Sequence, residues 1–163
     1  MKKRNSPLLF SIKPHYADLV FQGLKAAELR KQITSCMEDR IVFIYVSSPV
    51  KQLRGGFNIG HVWSGPPEKI WDQVSELAAV DKPDFDAYYA GRTIAYALEI
   101  IEVWEYDTPI DLETLRSQFK KFVVPQSWRY ARDEEVQSFQ EMKRQNTRKL
   151  HNTCSNSSKV KAA

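Results

Sequence analysis

The run Ile41-Val42-Phe43-Ile44-Tyr45-Val46-Ser47 constrains the fold of this chain more than any other stretch. It is β-branched and aromatic, as a pleated strand requires, and it carries no charge. A strand with one wet face alternates apolar and polar residues, whereas a continuous apolar strand is covered on both faces. The rest of the chain must therefore supply packing on two sides. Ser48-Pro49 stops the run.

Leu8 to Lys13 reads as a buried first strand, broken by Lys13-Pro14, and Pro14 suits the first turn of a helix reaching Gln22. Gln32 to Arg40 is a polar connector without period. Gln52 to Ser64 is a long extended segment whose Gly55-Gly56 pair marks a bulge, a corner or a close backbone approach. Ile70, Trp71, Val74, Leu77 and Ala78 recur at helical spacing through Ala79, and Lys82-Pro83 opens a short helix over 84–90 closed by Gly91. Thr93 to Tyr106 is a third long strand, ended by Asp107-Thr108-Pro109. Asp111 caps a helix running to Phe119, and Phe122-Val123-Val124 reads as one more strand. Asp133 to about Lys149 has a thin apolar stripe of Val136, Phe139, Met142 and Leu150. Long strands with short helices between them, without repeating βα units, point to an α+β fold or a small barrel.

In 163 residues there is room for one domain with a sizeable core. No apolar run approaches the roughly 20 residues of a membrane span. Cys36 and Cys154 lie far apart, so a structural disulfide is not expected and the cytoplasm is the natural home. The net charge of +4 is unevenly spread. Residues 1–4 carry +3, and residues 141–163 carry six Lys/Arg against Glu141, leaving residues 5–140 at −4. Basic ends add salt-sensitive attraction to nucleic acid, or simply solubilise.

Chemistry concentrates after Gly23, which sits where a helix needs a left-handed terminating residue. In Leu24 to Lys31 the pattern alternates, placing Ala26, Glu28 and Arg30 on one face and Lys25, Ala27, Leu29 and Lys31 on the other. Lys25 lies at the strand mouth, where the turn can re-aim it. A carboxylate and a guanidinium two apart, with an amine nearby, can hold a polar, planar or anionic ligand. The competing reading is an edge strand with a solvated charged face. Pro125-Gln126-Ser127-Trp128-Arg129-Tyr130-Ala131 is a second candidate wall. Trp128 and Tyr130 either stack on a base or plug the end of the fold, while Gln126, Ser127 and Arg129 offer edge or phosphate contacts. Lys13, Tyr45, Ser47 and Ser48 fall at strand ends, as cleft groups or as caps and turns, and Arg92 follows Gly91 as a cleft cation or a loop charge. Trp63, Trp71 and Trp104 read as packing. His15, His61 and His151 are isolated, so neither a metal nor any other cofactor is expected.

Ile12-Lys13-Pro14-His15-Tyr16-Ala17, Gly23-x-Lys25-x-x-Glu28-x-Arg30, Tyr45-Val46-Ser47-Ser48-Pro49-Val50-Lys51 with Gly56, Gly91-Arg92 with Ala95-Tyr96-Ala97, and Pro125 to Tyr130 together resemble the ASCH domain family, in particular its bacterial and phage branch. The resemblance covers residues 8–131. It implies a PUA-like small mixed β-barrel of five to six strands with short flanking helices. Residues 1–7 would be a basic lead, 132–150 a C-terminal helix and 151–163 a disordered basic tail. The resemblance further implies that Lys25, Glu28 and Arg30 line a cleft receiving RNA, a nucleotide or a modified nucleoside. Some members of the family are amidohydrolases acting on N4-acetylcytidine through a Lys, Thr and Glu set. Here Lys25 matches the lysine, but Glu28 stands at the threonine position and the later glutamate has no clear counterpart. Other members are metal-assisted ribonucleases, for which no ligand cluster stands out. The expectation is thus a cytoplasmic RNA- or nucleoside-binding ASCH protein. An amidohydrolase using Lys25 and Glu28 is the alternative, and a transcription-linked regulator or protein-interaction module with a vestigial cleft the second.

Overall fold

The computed structural model describes residues 5–148; the basic ends at 1–4 and 149–163, with Cys154, His151 and Leu150, lie outside the described residues. The elements in chain order are β1 (Leu8–Ile12), α1 (Pro14–Phe21), β2 (Ala27–Arg30), β3 (Ile41–Val46), β4 (Gln52–Gly65), α2 (Pro67–Val74), α3 (Lys82–Tyr88), β5 (Ala95–Asp111), α4 (Leu112–Gln118), β6 (Trp128–Tyr130), α5 (Asp133–Gln145) and β7 (Thr147–Arg148). One sheet runs β2-β5-β4-β3-β1-β6, with the two-residue β7 added to β5. Only β1–β3 is parallel; the remaining pairs are antiparallel. This is a mixed α+β half-barrel with five short helices among the described residues.

The apolar run of β3 is covered on both faces, as its composition requires. Val42, Ile44 and Val46 join Leu8, Phe10, Ile12, Phe57, Ile59 and α1's Ala17, Val20 and Phe21 in one core. Phe43 and Tyr45 point the other way, into a second core with Leu9, Leu53, Trp104, Leu115, Phe119 and Phe139 under α4 and α5. A third cluster seats α2 and α3 on Ala27, Leu29, Ala95 and Ala97. The glycine pair in β4 is a close approach: a Cβ on Gly55 would meet the Trp104 carbonyl at 2.2 Å, and the β3–β4 register shifts beside it.

Three local expectations are corrected. The third long strand does not stop at Asp107-Thr108-Pro109 but runs to Asp111, because pairing resumes at Leu53–Ile110 after an irregular stretch that contains Pro109. Proline lacks an N–H, and in that stretch the ladder does not call on one. Phe122-Val123-Val124 is not a strand: Phe122 sinks into the second core, and the Val123 carbonyl accepts from Arg129 Nε. The helix expected through Ala79 ends at Val74. Its tail unwinds, so that the Leu77 carbonyl accepts the N–H groups of Ala26 and Ala27 at 2.8 and 3.0 Å.

The sheet is left open between β2 and β6, and side chains bridge that gap. Arg30 Nη1 donates to the Ser127 carbonyl and hydroxyl at 3.2 and 2.9 Å. Trp128 Nε1 donates to the Gln32 carbonyl at 3.2 Å, and the Thr34 and Tyr130 hydroxyls share a 2.9 Å hydrogen bond.

Candidate ligand cleft

Gly23 takes φ +75°, which ends α1 and reverses the chain so that the N–H groups of Leu24 and Lys25 both donate to the Leu19 carbonyl. The turn throws Lys25 out of simple alternation and inward. Its ammonium donates to the Ala78 carbonyl at 2.5 Å, lies 3.9 Å from Glu28 Oε2, and sits 5.2 Å from the centre of the Tyr16 ring. The unwound tail of α2 thus positions both the lysine and the strand that follows it. In β2, Ala27 and Leu29 pack beneath α2 and α3 while Glu28 and Arg30 face the opening.

These charges are not a solvated strand face. Lys25, Glu28 and Arg30 are 4%, 8% and 6% exposed. Arg30 Nη2 donates to Glu28 Oε1 at 2.8 Å, and its guanidinium lies 4.3 Å from the centre of the Phe10 ring. Burial holds the Lys25 ammonium below the ordinary lysine range; Glu28 opposes that shift and Arg30 adds to it. Burial also raises the Tyr16 phenol, with Asp84, Glu28 and Asp81 acting in the same direction. Tyr16 is therefore a neutral hydroxyl across the working pH range.

Around the trio opens a cleft of about 930 Å³. Its lining includes Lys13, Ser47, Arg92, Gln126, Ser127 and Trp128, all singled out from the sequence. Ser11 fixes the far wall, its hydroxyl donating to the Pro125 carbonyl at 2.6 Å and its N–H to the Ser127 carbonyl at 3.0 Å. Counting charged linings, Lys13, Lys25, Arg30, Lys31 and Arg92 face Glu28 and Asp84 alone, an excess of three positive charges. The stretch 5–140 that contains these residues is net −4. Positive charge focused in a concave, partly dry site attracts anions far more strongly than the same charges spread on a surface. Among the described residues no group of three or more His, Cys, Asp or Glu side chains stands close enough to hold a metal ion.

Three sequence candidates fall elsewhere. Tyr45 is buried in the second core against Phe122, because it lies on the opposite face of β3 from Ile44 and Val46. Ser48 is exposed in the turn at the cis Ser48–Pro49 bond, outside the cleft lining. Arg129 points away from the cleft and forms a paired 2.8 Å contact with Glu135, which is 0% exposed and also accepts from the Arg132 N–H. Arg129 therefore holds α5 to β6. Tyr130 packs against the first core, whereas Trp128 is half-buried on the cleft wall.

Sequence reasoning missed Tyr16, Lys31, Asp84 and Tyr88 as linings. Tyr16 stands in the first turn of α1, three residues after Lys13, the residue that caps that helix. Lys31 follows the last residue of β2, so strand alternation no longer governs it, and its ammonium lies 4.7 Å from the centre of the Tyr88 ring. Asp84 and Tyr88 share one face of α3 at i, i+4, but only the docking of α3 against β2 brings that face here, and no local pattern encodes it.

No family model matches the chain. It is 28% identical over 123 residues to the large ribosomal subunit protein uL22 of Ureaplasma parvum serovar 3, a match that takes in 76% of this chain but only 38% of that relative's length. It is 26% identical over 129 residues to an ASCH domain-containing ribonuclease of Zymomonas mobilis, covering 79% of this chain and 86% of the relative. The crystal structure of ASCH from Zymomonas mobilis superimposes with a TM-score of 0.79 at 24% identity, over 85% of this chain and 96% of that one. The curled mixed sheet is the fold of the ASCH (PUA-like) structures. In sequence the chain is similar to an ASCH-domain protein, and the structural match supports an ASCH domain here.

Proposed function

We propose that this protein binds RNA, seating a nucleotide in the cleft of Lys25, Glu28 and Arg30. The observation that carries the reading is the positive excess of the cleft lining within an acidic body. The Zymomonas mobilis relative named a ribonuclease points the same way. Glu28 can accept from an exocyclic amine of a base, and Lys13 and Arg92 can meet phosphate oxygens. Trp128 and Tyr88 offer aromatic surface, and a stacked base contributes about 1–3 kcal/mol. The aromatic, polar and cationic lining suits an unpaired nucleotide, whose edges and faces are both accessible, rather than a duplex.

A second reading is favoured by the buried Lys25. Burial makes the Lys25 ammonium give up its proton more readily than a free lysine does, and Glu28 beside it can carry the proton onward. In RNA that base would activate a 2′-hydroxyl or a water against phosphorus; in an acylated cytidine it would activate a water against the amide carbonyl. The glutamate in place of a threonine supports no hydroxyl nucleophile at position 28.

The test is a titration of a fluorescent single-stranded RNA hexamer with the full chain and with Lys13→Ala and Lys25→Met, at 50 and 200 mM salt. Affinity is expected to fall with salt and to drop about fivefold or more in each variant, since each removes one cleft cation. Equal affinity for all three proteins would overturn the proposal, because the basic ends are common to all. Shortened RNA in the same tubes, or deacetylated product from N4-acetylcytidine, would establish the hydrolytic reading.

A further inference from the structure

We propose that the cleft continues into a second compartment for the neighbouring nucleotide, so that the site takes single-stranded RNA two nucleotides at a time with the linking phosphate held by Lys31 and Arg92. This rests on the RNA-binding reading above. Beside the main cleft lies a groove of about 390 Å³, and the two share Lys31, Arg92, Gln32 and Trp128 as linings. The shared boundary is therefore two cations, an amide and an indole. Beyond it the groove is walled by Ile94, an apolar side chain 47% exposed, and by Tyr96.

The arrangement matches the covalent order of a nucleic acid strand. Successive bases are flat and weakly polar, and the unit between them is an anionic phosphodiester. A site for two consecutive nucleotides thus needs apolar or aromatic surface in each compartment and positive charge at their junction. The main cleft has Tyr16 and Tyr88, the annex has Ile94 and Tyr96, and Trp128 lines both. Lys31 and Arg92 are exposed, and among the described residues neither forms a salt bridge. Arg30, Arg54, Lys82 and Arg129, by contrast, are each engaged by carboxylates. The two cations stand where a phosphodiester would cross. A free nucleoside would leave the annex and both cations unused.

The experiment compares a uridine 5′-monophosphate with the dinucleotide pUpU by calorimetric titration of the full chain, alongside Ile94→Glu and the double variant Lys31→Ala/Arg92→Ala. The dinucleotide is expected to bind about tenfold or more tightly than the mononucleotide, the increment of one stacked base and one bridging phosphate. Ile94→Glu, an exposed position whose new carboxylate faces the annex, is expected to bring that ratio towards one. The double variant is expected to lower the slope of log affinity against log salt by about 1.4 on a hexamer, about 0.7 for each phosphate that is no longer neutralised. Thermal melts confirm that each variant is folded. A ratio near one in the unmodified chain, with the mononucleotide still bound, overturns the second compartment and leaves the first. A ratio that survives in both variants overturns its placement beside Ile94, Lys31 and Arg92. No binding of either ligand or of the hexamer overturns the RNA-binding reading itself, and the inference with it.

Discussion

Glu28 is the residue on which the cleft depends. It is the carboxylate shared by the buried Lys25 and Arg30, and removing it strands two cations in a poorly hydrated site. Glu28→Ala is expected to cost about 3–5 kcal/mol in urea unfolding, the usual penalty for breaking a buried ion pair; a cost under about 1 kcal/mol, the range of an exposed pair, would mean the trio is better hydrated than its burial indicates. Lys25 also leaves a signature in pH. Its folded value lies below its unfolded one, so between those values the unfolded chain binds the extra proton and stability rises with pH towards the ordinary lysine range. Relative to Lys25→Met, which cannot titrate, the unmodified protein should gain stability as pH climbs to about 10; a constant difference would contradict the burial argument. Arg129 supplies the contrast. The sequence placed it beside Trp128 as a possible cleft cation, and nothing in so short a motif could show that its partner would be Glu135 on the next helix. Arg129→Ala is expected to destabilise by about 3 kcal/mol while leaving the RNA affinity of the folded protein unchanged.

At the scale of elements, what was legible followed from period and punctuation. The apolar run of β3, the Pro14 start and Gly23 stop of α1, and the Asp111 cap of α4, whose carboxylate accepts from the Thr114 N–H at 2.7 Å, are local features that long-range packing did not override. Elsewhere a distant partner overrides the local pattern. α2 has apolar residues at helical spacing past Val74, but β2 and Lys25 need the Leu77 and Ala78 carbonyls, and the helix unwinds to supply them. β5 runs on past a proline because β4 is long enough to pair again beyond it. Two glycines separate conformational from steric demand. Gly23→Ala meets open space and only the cost of a left-handed backbone, about 1–2 kcal/mol. Gly55→Ala drives a methyl into the Trp104 backbone and is expected to cost about 3 kcal/mol or to prevent folding. Equal melting temperatures for the two variants would contradict that distinction.

For the whole molecule, the same contacts that finish the fold also build the cleft. Arg30 closes the gap between β2 and β6 through Ser127, and it is the residue held by Glu28. The cleft is therefore part of the half-barrel's construction, and its walls come from β1, α1, β2, α3 and the segment leading into β6. No helix among the described residues is long and apolar enough to cross a membrane. On the proposed reading, the positive lining of the cleft, set in a stretch 5–140 that is net −4, directs an anionic strand to one place. Ultraviolet crosslinking of a uridine-rich RNA hexamer to the full chain, followed by mass spectrometric mapping of the attached peptides, tests this most directly. Attachment is expected at Tyr16, Tyr88 and Trp128, suppressed in Lys25→Met and at high salt. Attachment confined to residues 1–4 or 149–163, with the cleft aromatics unmodified, would contradict it.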